Sequence, residues 1–329
     1  VRLRKGFALL TALWVGVVTV TLTNSVLVNT VDDRAEMSLH RERFLALEAA
    51  RAGIERGISV LVQDDRRVDH LGEPWAWPVH QASEQELLWN GKSRQWYRFC
   101  GVSQHSGTRP VFSLVDEDRR IDVFRSPVSL IEKIPGIRKE AMGAWRALLS
   151  SSGQRSSDRP LVATPQLLVD AAVVRPDVFF GEDWNDNGLL EENENDGDRS
   201  FPPDDMDGRV RPGLSSLFTA WTDGRVNVNT ASADVLRAVG LAAEKVEKFL
   251  NARIDRSKGI EHLEEVLGPG LPAVAKWLKV NSSTFRLNVE GGTLNVEGGT
   301  QPAASLVRVE RLVTRGAKRI FVSGGSEDL

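Results

Sequence analysis

The sequence predicts an α+β fold: a very long N-terminal helix packed on an antiparallel sheet, with a large, mostly helical domain inserted into that sheet. Three observations predict it. The uncharged run Phe7–Val28 continues without a breaker into an amphipathic stretch that ends near Asp64. Short runs of β-branched and aromatic residues lie before residue 115 and resume after residue 283, which is the composition of strands. The intervening residues 116–282 carry helix-start signals, glycine stops and one dense acidic segment, and loop tips tolerate such insertions.

The helix comes first. Arg2, Arg4 and Lys5 precede Gly6, and the next 22 residues, Phe7 to Val28, carry no charge. Roughly 20 apolar residues cross a bilayer core of about 30 Å, so residues 7–28 read as a transmembrane helix. The basic flank predicts a cytoplasmic N-terminus, with everything after residue 30 exported. A removable signal would show small residues at a cut site after its apolar stretch. Here Leu39, Phe44, Leu47, Ile54, Ile58 and Leu61 follow at helical spacing among charged residues. One continuous helix of roughly 50 residues or more, about 80 Å long, is expected.

Composition limits the rest. The 329 residues (36.3 kDa) leave room for one large or two modest domains after the anchor. A net charge of −3 gives no global basic field for nucleic acid. Cys100 is the single cysteine, so no intrachain disulfide can form. The five histidines, His40, His70, His80, His105 and His262, make no HExxH or other closely spaced ligand set.

Residues 64–95 look irregular, with a short helix around Ser83–Trp89. Gln95–Val102 and Arg109–Val115 read as strands joined by a hairpin loop at Gln104–Gly107. After the insertion, Thr284–Val289, Thr293–Val296, Ser305–Val313 and Arg319–Val322 read as further strands. The near-repeat of Asn288–Thr293 and Asn295–Thr300 (NVEGGT and NVEGGT) suggests successive glycine turns between them.

The insertion contains two related segments, Asp118–Ile137 and Asp223–Leu241. Each has a charged turn, a β-like run, a helix start, an apolar helix, and a glycine followed by Ile or Leu. The helix starts are Ser126 with Pro127, and Thr230 or Ser232. The second unit continues into a helix over Leu241–Arg253 and an apolar run at Ile260–Leu267. Val226–Leu241 resembles the helix-hairpin-helix of DNA-uptake proteins. A phosphate-binding hairpin uses glycines on both sides of an apolar residue so that backbone N–H groups can approach the anion. Here the hairpins read Gly240-Leu241-Ala242 and Gly136-Ile137-Arg138, each lacking the second glycine. Arg138, Lys139, Lys245, Lys248 and Arg253 could contact phosphate, but Glu140, Glu244 and Glu247 are interleaved with them.

Between the units lies a metal-binding pattern. Asp183, Asn185, Asn187, Glu191 and Glu194 occupy positions 1, 3, 5, 9 and 12 of a calcium loop. Gly188 stands at position 6, and Leu189 offers its carbonyl at 7. The glycine turn gathers alternate oxygens around one ion, and Glu194 can bind through both of its own. A second ion could draw on Asp196, Asp198, Asp204, Asp205 and Asp207, although no fixed spacing selects among them. The ordered Asn, Gly and Leu positions set this segment apart from a solvated acidic linker, and a structural calcium clip is expected. A calcium-dependent hydrolase would have acids such as Asp122 or Asp170, but no nucleophile–base arrangement accompanies them.

The leader Arg4-Lys5-Gly6, followed by Phe7 and the apolar Phe7–Trp14 (FALLTALW), resembles the N-terminus of type IV pilin-like proteins. The resemblance implies cleavage by a prepilin peptidase between Gly6 and Phe7. That family usually places glutamate at the fifth mature position, where this chain has Thr11. A carboxylate in lipid is costly unless paired; in the family it pairs with the terminal amine of a neighbouring subunit. A subunit with Thr11 suits a tip rather than a repeating position. Type II secretion minor pseudopilin K lacks this glutamate, and the chain resembles that family throughout. The shared pieces are Phe112–Val123 (FSLVDEDRRIDV), the calcium loop, Asp223–Ala231 (DGRVNVNTA) and the return to strands at Thr284–Leu287. Ile121–Arg125 departs from the asparagine-rich run of many relatives, and the leader is short.

This resemblance implies a pilin-like fold divided into leader 1–6, transmembrane helix 7–28, exported helix and first strands 29–115, inserted domain 116–282 and closing strands 283–329. It implies a non-enzymatic subunit in the cell inner membrane, its bulk in the periplasm, capping a short pseudopilus that supports protein export. The implied partners are minor pseudopilins I, J and H, the prepilin peptidase and the inner-membrane secretion platform. The rival reading is a membrane-anchored helix-hairpin-helix DNA receptor of a pilus-like uptake machine.

Overall fold

The computed structural model describes residues 3–76, 85–89, 93–99, 114–151, 164–182, 192–197, 199, 206–208, 211, 213–253, 259–269, 272–295, 305–316, 320–323 and 327–328. In chain order the elements are α1 (Leu3–Gln63), β1 (Gln85–Trp89), β2 (Ser93–Phe99), β3 (Val115–Asp116), β4 (Ile121–Asp122), α2 (Val128–Ile131), α3 (Met142–Ser151), α4 (Leu167–Asp170) and α5 (Pro176–Phe180). They continue with β5 (Phe218–Thr219), β6 (Val226–Asn227), α6 (Ala233–Ala238), α7 (Ala243–Ala252), α8 (Glu264–Leu267), β7 (Leu278–Lys279), β8 (Thr284–Asn295), β9 (Ser305–Arg315), β10 (Ile320–Ser323) and β11 (Glu327–Asp328).

Helix α1 is unbroken for 61 residues, about 90 Å at 1.5 Å per residue. Within it, Leu9–Thr30 is long and apolar enough to cross a membrane, and its side chains face away from the rest of the protein. This fits a single-pass segment or a signal segment near the N-terminus. Its threonines are satisfied internally: Thr11, Thr19, Thr21, Thr23 and Thr30 each donate to the carbonyl four residues earlier, at 2.6–3.0 Å. The far half of α1 lies on the sheet. Ala46, Ala50, Ile54 and Leu61 are buried there against Tyr97, Phe99, Leu287, Val289, Val307 and Val309.

Among the described residues the main sheet has seven strands in the order β1-β2-β8-β9-β10, with β3 also on β8 and β11 on β9. All of these pairs are antiparallel. The chain before residue 117 and after residue 283 therefore builds one sheet, interrupted by the insertion.

Two expectations are corrected here. The short helix expected at Ser83–Trp89 is strand β1, paired with β2 through Gln85↔Tyr97 and Trp89↔Arg94. A bulge between Glu86 and Leu88 interrupts strict alternation, which gives the segment its helix-like spacing in sequence. The turn expected within Asn288–Thr293 is absent, because β8 runs straight through it for 12 residues. The glycines serve close approach instead. A Cβ on Gly291 would lie 2.1 Å from the Ala46 carbonyl of α1, and one on Gly292 would lie 2.4 Å from the Trp96 indole. Gly53 and Gly57 answer from the helix side, each too close to Val289 or Leu287 for a Cβ. The second NVEGGT stretch lies outside the described residues from position 296 on, as do Cys100, the Gln104–Gly107 loop and Arg109–Phe112.

The insertion folds around its own core, to which both related segments contribute. Ile121, Val123 and Ile131 come from the first, Val226, Val228 and Leu236 from the second, and Trp145, Phe179, Phe249 and Leu278 from the chain that follows them. The two units share one construction. Parallel pair β4–β5 is matched by β6–β7. Val123 N–H donates to Thr219 in the first, and Val228 N–H to Lys279 in the second, both at 2.9 Å. Asp122 and Asn227 occupy the same place, each folding the next residues around its own side-chain oxygen. Gly136 and Gly240 then turn the chain with φ of +90° and +103°, a conformation that glycine adopts without a Cβ penalty. Ser232 caps α6 through Val235 N–H at 3.2 Å, as expected. Thr230 does not cap it and turns toward the sheet.

Gly291→Ala is expected to cost about 1–3 kcal/mol as overpacking, because the Cβ meets helix backbone that cannot rotate away. Thermal melting of the purified full chain measures it; an unchanged midpoint would contradict the close contact.

Candidate functional site

The most heavily built polar site lies where β3 leaves the sheet. Asp116, Glu117 and Asp118 are consecutive and all buried. The 3-10 turn Glu117–Arg119, capped by the Asp116 side chain on Asp118 N–H at 2.8 Å, points them in different directions. Asp116 accepts from the Ser282 and Thr230 hydroxyls, both at 2.6 Å, and from the Asn227 amide at 3.4 Å. Glu117 meets Arg286 of β8 at 2.8 Å and Arg120 at 3.8 Å, and accepts from Thr219 of β5. Asp118 pairs with Lys279 of β7 at 2.7 Å and caps the start of β8 at Thr284 N–H, 3.1 Å. One turn thus ties the sheet to both units of the insertion.

Next to it, the connection after α1 supplies a second acidic group. One oxygen from each of Asp64, Asp69 and Glu73 lies within 4.8 Å of the others, an acidic cluster that could chelate a divalent cation. In the structure the Arg315 guanidinium supplies positive charge there. It pairs with Asp64 at 2.8 Å and with Asp69, donates to the Ser282 carbonyl at 2.8 Å, and stacks 4.6 Å from the Phe285 ring centre. Asp69 also accepts from Ser282 N–H at 2.6 Å, and its carbonyl receives the Asn227 amide at 3.0 Å. Glu73 accepts from His70 N–H at 2.8 Å and from the Trp75 indole at 2.7 Å.

Burial and charge set the protonation of these groups. Burial raises the Asp69 carboxyl, against the pull of Arg315. It lifts Glu73 to about 7, opposed by the His70 and Trp75 donors. Burial would raise Glu117 too, but Arg286 and then Arg120 override it and hold the carboxyl at about 2.

The expected calcium loop is reached only at its edges. Asp183, Asn185, Asn187, Leu189 and Glu191 lie outside the described residues, as do Asp198, Asp204 and Asp205. Glu194 ends the 3-10 turn Glu192–Glu194 and is fully buried. Asp196 is half-buried, and Asp207 is exposed, 3.9 Å from Arg211. The ends of the acidic segment are clamped together. Glu182 N–H donates to the Arg211 carbonyl at 3.0 Å, while Arg211 N–H donates to the Glu182 carboxylate at 2.9 Å. Gly181 and Gly213 touch so closely that a Cβ on Gly181 would lie 2.3 Å from Gly213 N. The segment is therefore a closed excursion and not a linker between separate bodies.

Other sequence candidates are placed as follows. Gly6 and Phe7 lie within continuous α1, and the Thr11 hydroxyl is held by the Phe7 carbonyl at 3.0 Å. Asp122 is buried, and its oxygens accept from Phe124, Arg125 and Thr222, a folding role; Asp170 is exposed at the end of α4. Four of the five basic residues of the hairpins are engaged locally. Lys245 donates to the Val266 and Leu267 carbonyls, both at 3.3 Å, and Arg253 donates to Val228 and Ala231 at 3.0 and 2.7 Å. Lys248 pairs with Glu244 and Arg138 with Glu140.

The Asp116–Asp118 turn and its cations were missed as a site by sequence reasoning. Three acids directly after a strand were the available signal; Arg315 and Lys279 gave none, because their partners are remote in the chain.

Glu117→Gln should cost about 3 kcal/mol near neutral pH, since it strips the charge that Arg120 and Arg286 face. Because folding lowers this carboxyl from 4.5 to about 2, its stabilisation is present above pH 4.5 and is lost as pH falls toward 2. Denaturant melts of wild type and variant should therefore converge below pH 4.5; a constant gap would count against the ion pairs.

Compared with known proteins, the chain matches no family model, no curated protein and no solved structure.

Proposed function

We propose that the chain is a non-enzymatic minor pseudopilin, anchored in the inner membrane with its body in the periplasm and capping the tip of a type II secretion pseudopilus. The observation that carries this reading is α1, one helix whose first half is free and apolar and whose second half is the spine of an antiparallel sheet. Such a helix joins a membrane assembly at one end and a folded body at the other. The insertion between β3 and β8 supplies bulk that would obstruct stacking of a further subunit. Thr11, satisfied within its own helix, supports a position that does not demand the paired carboxylate of repeating subunits. Minor pseudopilins I, J and H are the proposed companions, with the prepilin peptidase acting at Gly6–Phe7 and the secretion platform beneath.

Calcium is proposed for the loop Asp183, Asn185, Asn187, Leu189, Glu191 and Glu194, with the Gly181–Gly213 contact as its neck. Bound there, the ion would offset part of the segment's negative charge and hold it against the insertion. The DNA-receptor alternative draws no support from Lys245 and Arg253, whose donors serve carbonyls of their own unit.

Co-purification of the detergent-solubilised full chain with I-like and J-like pseudopilins should give a stable equimolar complex. A folded chain that forms no complex with them would remove the tip-subunit reading.

Calcium at about 100 times its dissociation constant should stabilise the loop by about 2.7 kcal/mol, read as slower hydrogen exchange across residues 181–213. Glu194→Ala should abolish that protection. Equal exchange with calcium and with chelator would refute the calcium site.

A further inference from the structure

Within Leu9–Thr30 one face of α1 differs from the others. Leu10, Leu13, Val17, Val20, Asn24 and Leu27 follow one another at alternating spacings of three and four residues. That is the a and d pattern of a coiled coil, with Leu10, Val17 and Asn24 at a and Leu13, Val20 and Leu27 at d. On a straight helix the stripe drifts by about 20° per heptad, which a left-handed supercoil removes. Transmembrane helices commonly cross with that hand. The five apolar side chains are 57–70% exposed, so no described part of this chain covers them.

The polar groups of the segment divide in two. Thr11, Thr19, Thr21, Thr23 and Thr30 lie off the a and d positions and close on their own backbone. Ser25 can turn its hydroxyl onto the backbone in the same way, and Asn29 stands one residue from the end of the span, in reach of water. Asn24 has no such outlet. Its side chain is exposed and has no hydrogen-bond partner among the described residues. It lies about 9 Å inside the span end at Thr30, where hydrocarbon offers an amide nothing to bond.

We propose that α1 pairs in the membrane with α1 of a second copy of this chain, parallel and in register along this stripe, with the two Asn24 amides bonded to each other. A second copy is the occupant that the residues select. Two copies of a single-pass chain enter the bilayer the same way round, so their helices run parallel and the amides meet at one depth. An amide carries N–H donors and a carbonyl acceptor, so it is its own complement. Leucine at d with valine at a favours two strands, and one asparagine at an a position fixes the register; Leu13, Leu27, Val17 and Asn24 meet both conditions. The pairing uses the apolar half of α1 alone and does not rest on the capping reading.

The test places the full chain, labelled at its C-terminus with a donor or an acceptor fluorophore, in phosphatidylcholine vesicles and follows energy transfer as lipid dilutes the protein. Wild type should associate, with transfer linear in the acceptor fraction, as pairs require. Asn24→Leu should raise the dissociation constant about 10-fold, the loss of the interhelical amide bonds. Asn24→Gln keeps an amide and should recover most of that affinity. In a Cys100→Ser background, Val17→Cys, Val20→Cys and Leu27→Cys should each cross-link on oxidation. Val15→Cys, Leu22→Cys and Val26→Cys, on the opposite side of the helix, should not. Wild type that stays monomeric at every dilution overturns the proposal. So does association unchanged by Asn24→Leu, or cross-linking with no preference for the stripe. Association seen only when I-like and J-like pseudopilins are added would put a different helix against Asn24 and overturn the self-pairing as well.

Discussion

Everything above the helix–sheet core hangs on a single 3-10 turn carrying three buried acids. Charge burial is tolerated only with compensation, and here each acid finds it on a different body: Glu117 on β8 and β5, Asp118 on β7 and the start of β8, Asp116 on the turn after β6. The compensation is therefore also the architecture. Neither unit of the insertion could shift on the sheet without leaving an acid unpaired, so a small number of polar contacts fixes the relation between two separate hydrophobic cores.

Those cores are built by different rules. The helix–sheet core depends on closeness: alanines and glycines of α1 meet glycines of β8 where side chains would otherwise hold them apart. The insertion depends on repetition, the same strand–turn–helix–glycine plan used twice, with Asp122 and Asn227 in equivalent places. In the second use, Thr230 and Asn227 have turned toward the acidic turn, so one copy is specialised for docking. Between the two copies lies the acidic segment, closed off at Gly181 and Gly213.

Local patterns carried most of the fold into view. The length of α1, strands β2, β9 and β10, the interrupted sheet and the duplication were legible because each rests on periodicity or on near neighbours in the chain. Gln85–Trp89 was misread because a bulge breaks strand alternation. The Gly291–Gly292 pair was misread because glycine marks both turns and close approaches, and only the position of Ala46 and Trp96 separates the two. The polar joint was the least legible part. Asp69 to Arg315 and Asp116 to Ser282 are contacts across most of the chain, and their residue types are commonplace on surfaces. What made them notable was burial, a property of the assembled molecule.

Helix α1 has neither a glycine–proline break nor a loop between its apolar half and the part gripped by the sheet. Gly53 and Gly57 lock it against β8, and Arg315 fastens the connection at its end. Mechanically this is a shaft keyed into its head. Torque or thrust applied to the segment Leu9–Thr30 is delivered to the sheet with no joint to absorb it, and through the acidic turn to the insertion beyond.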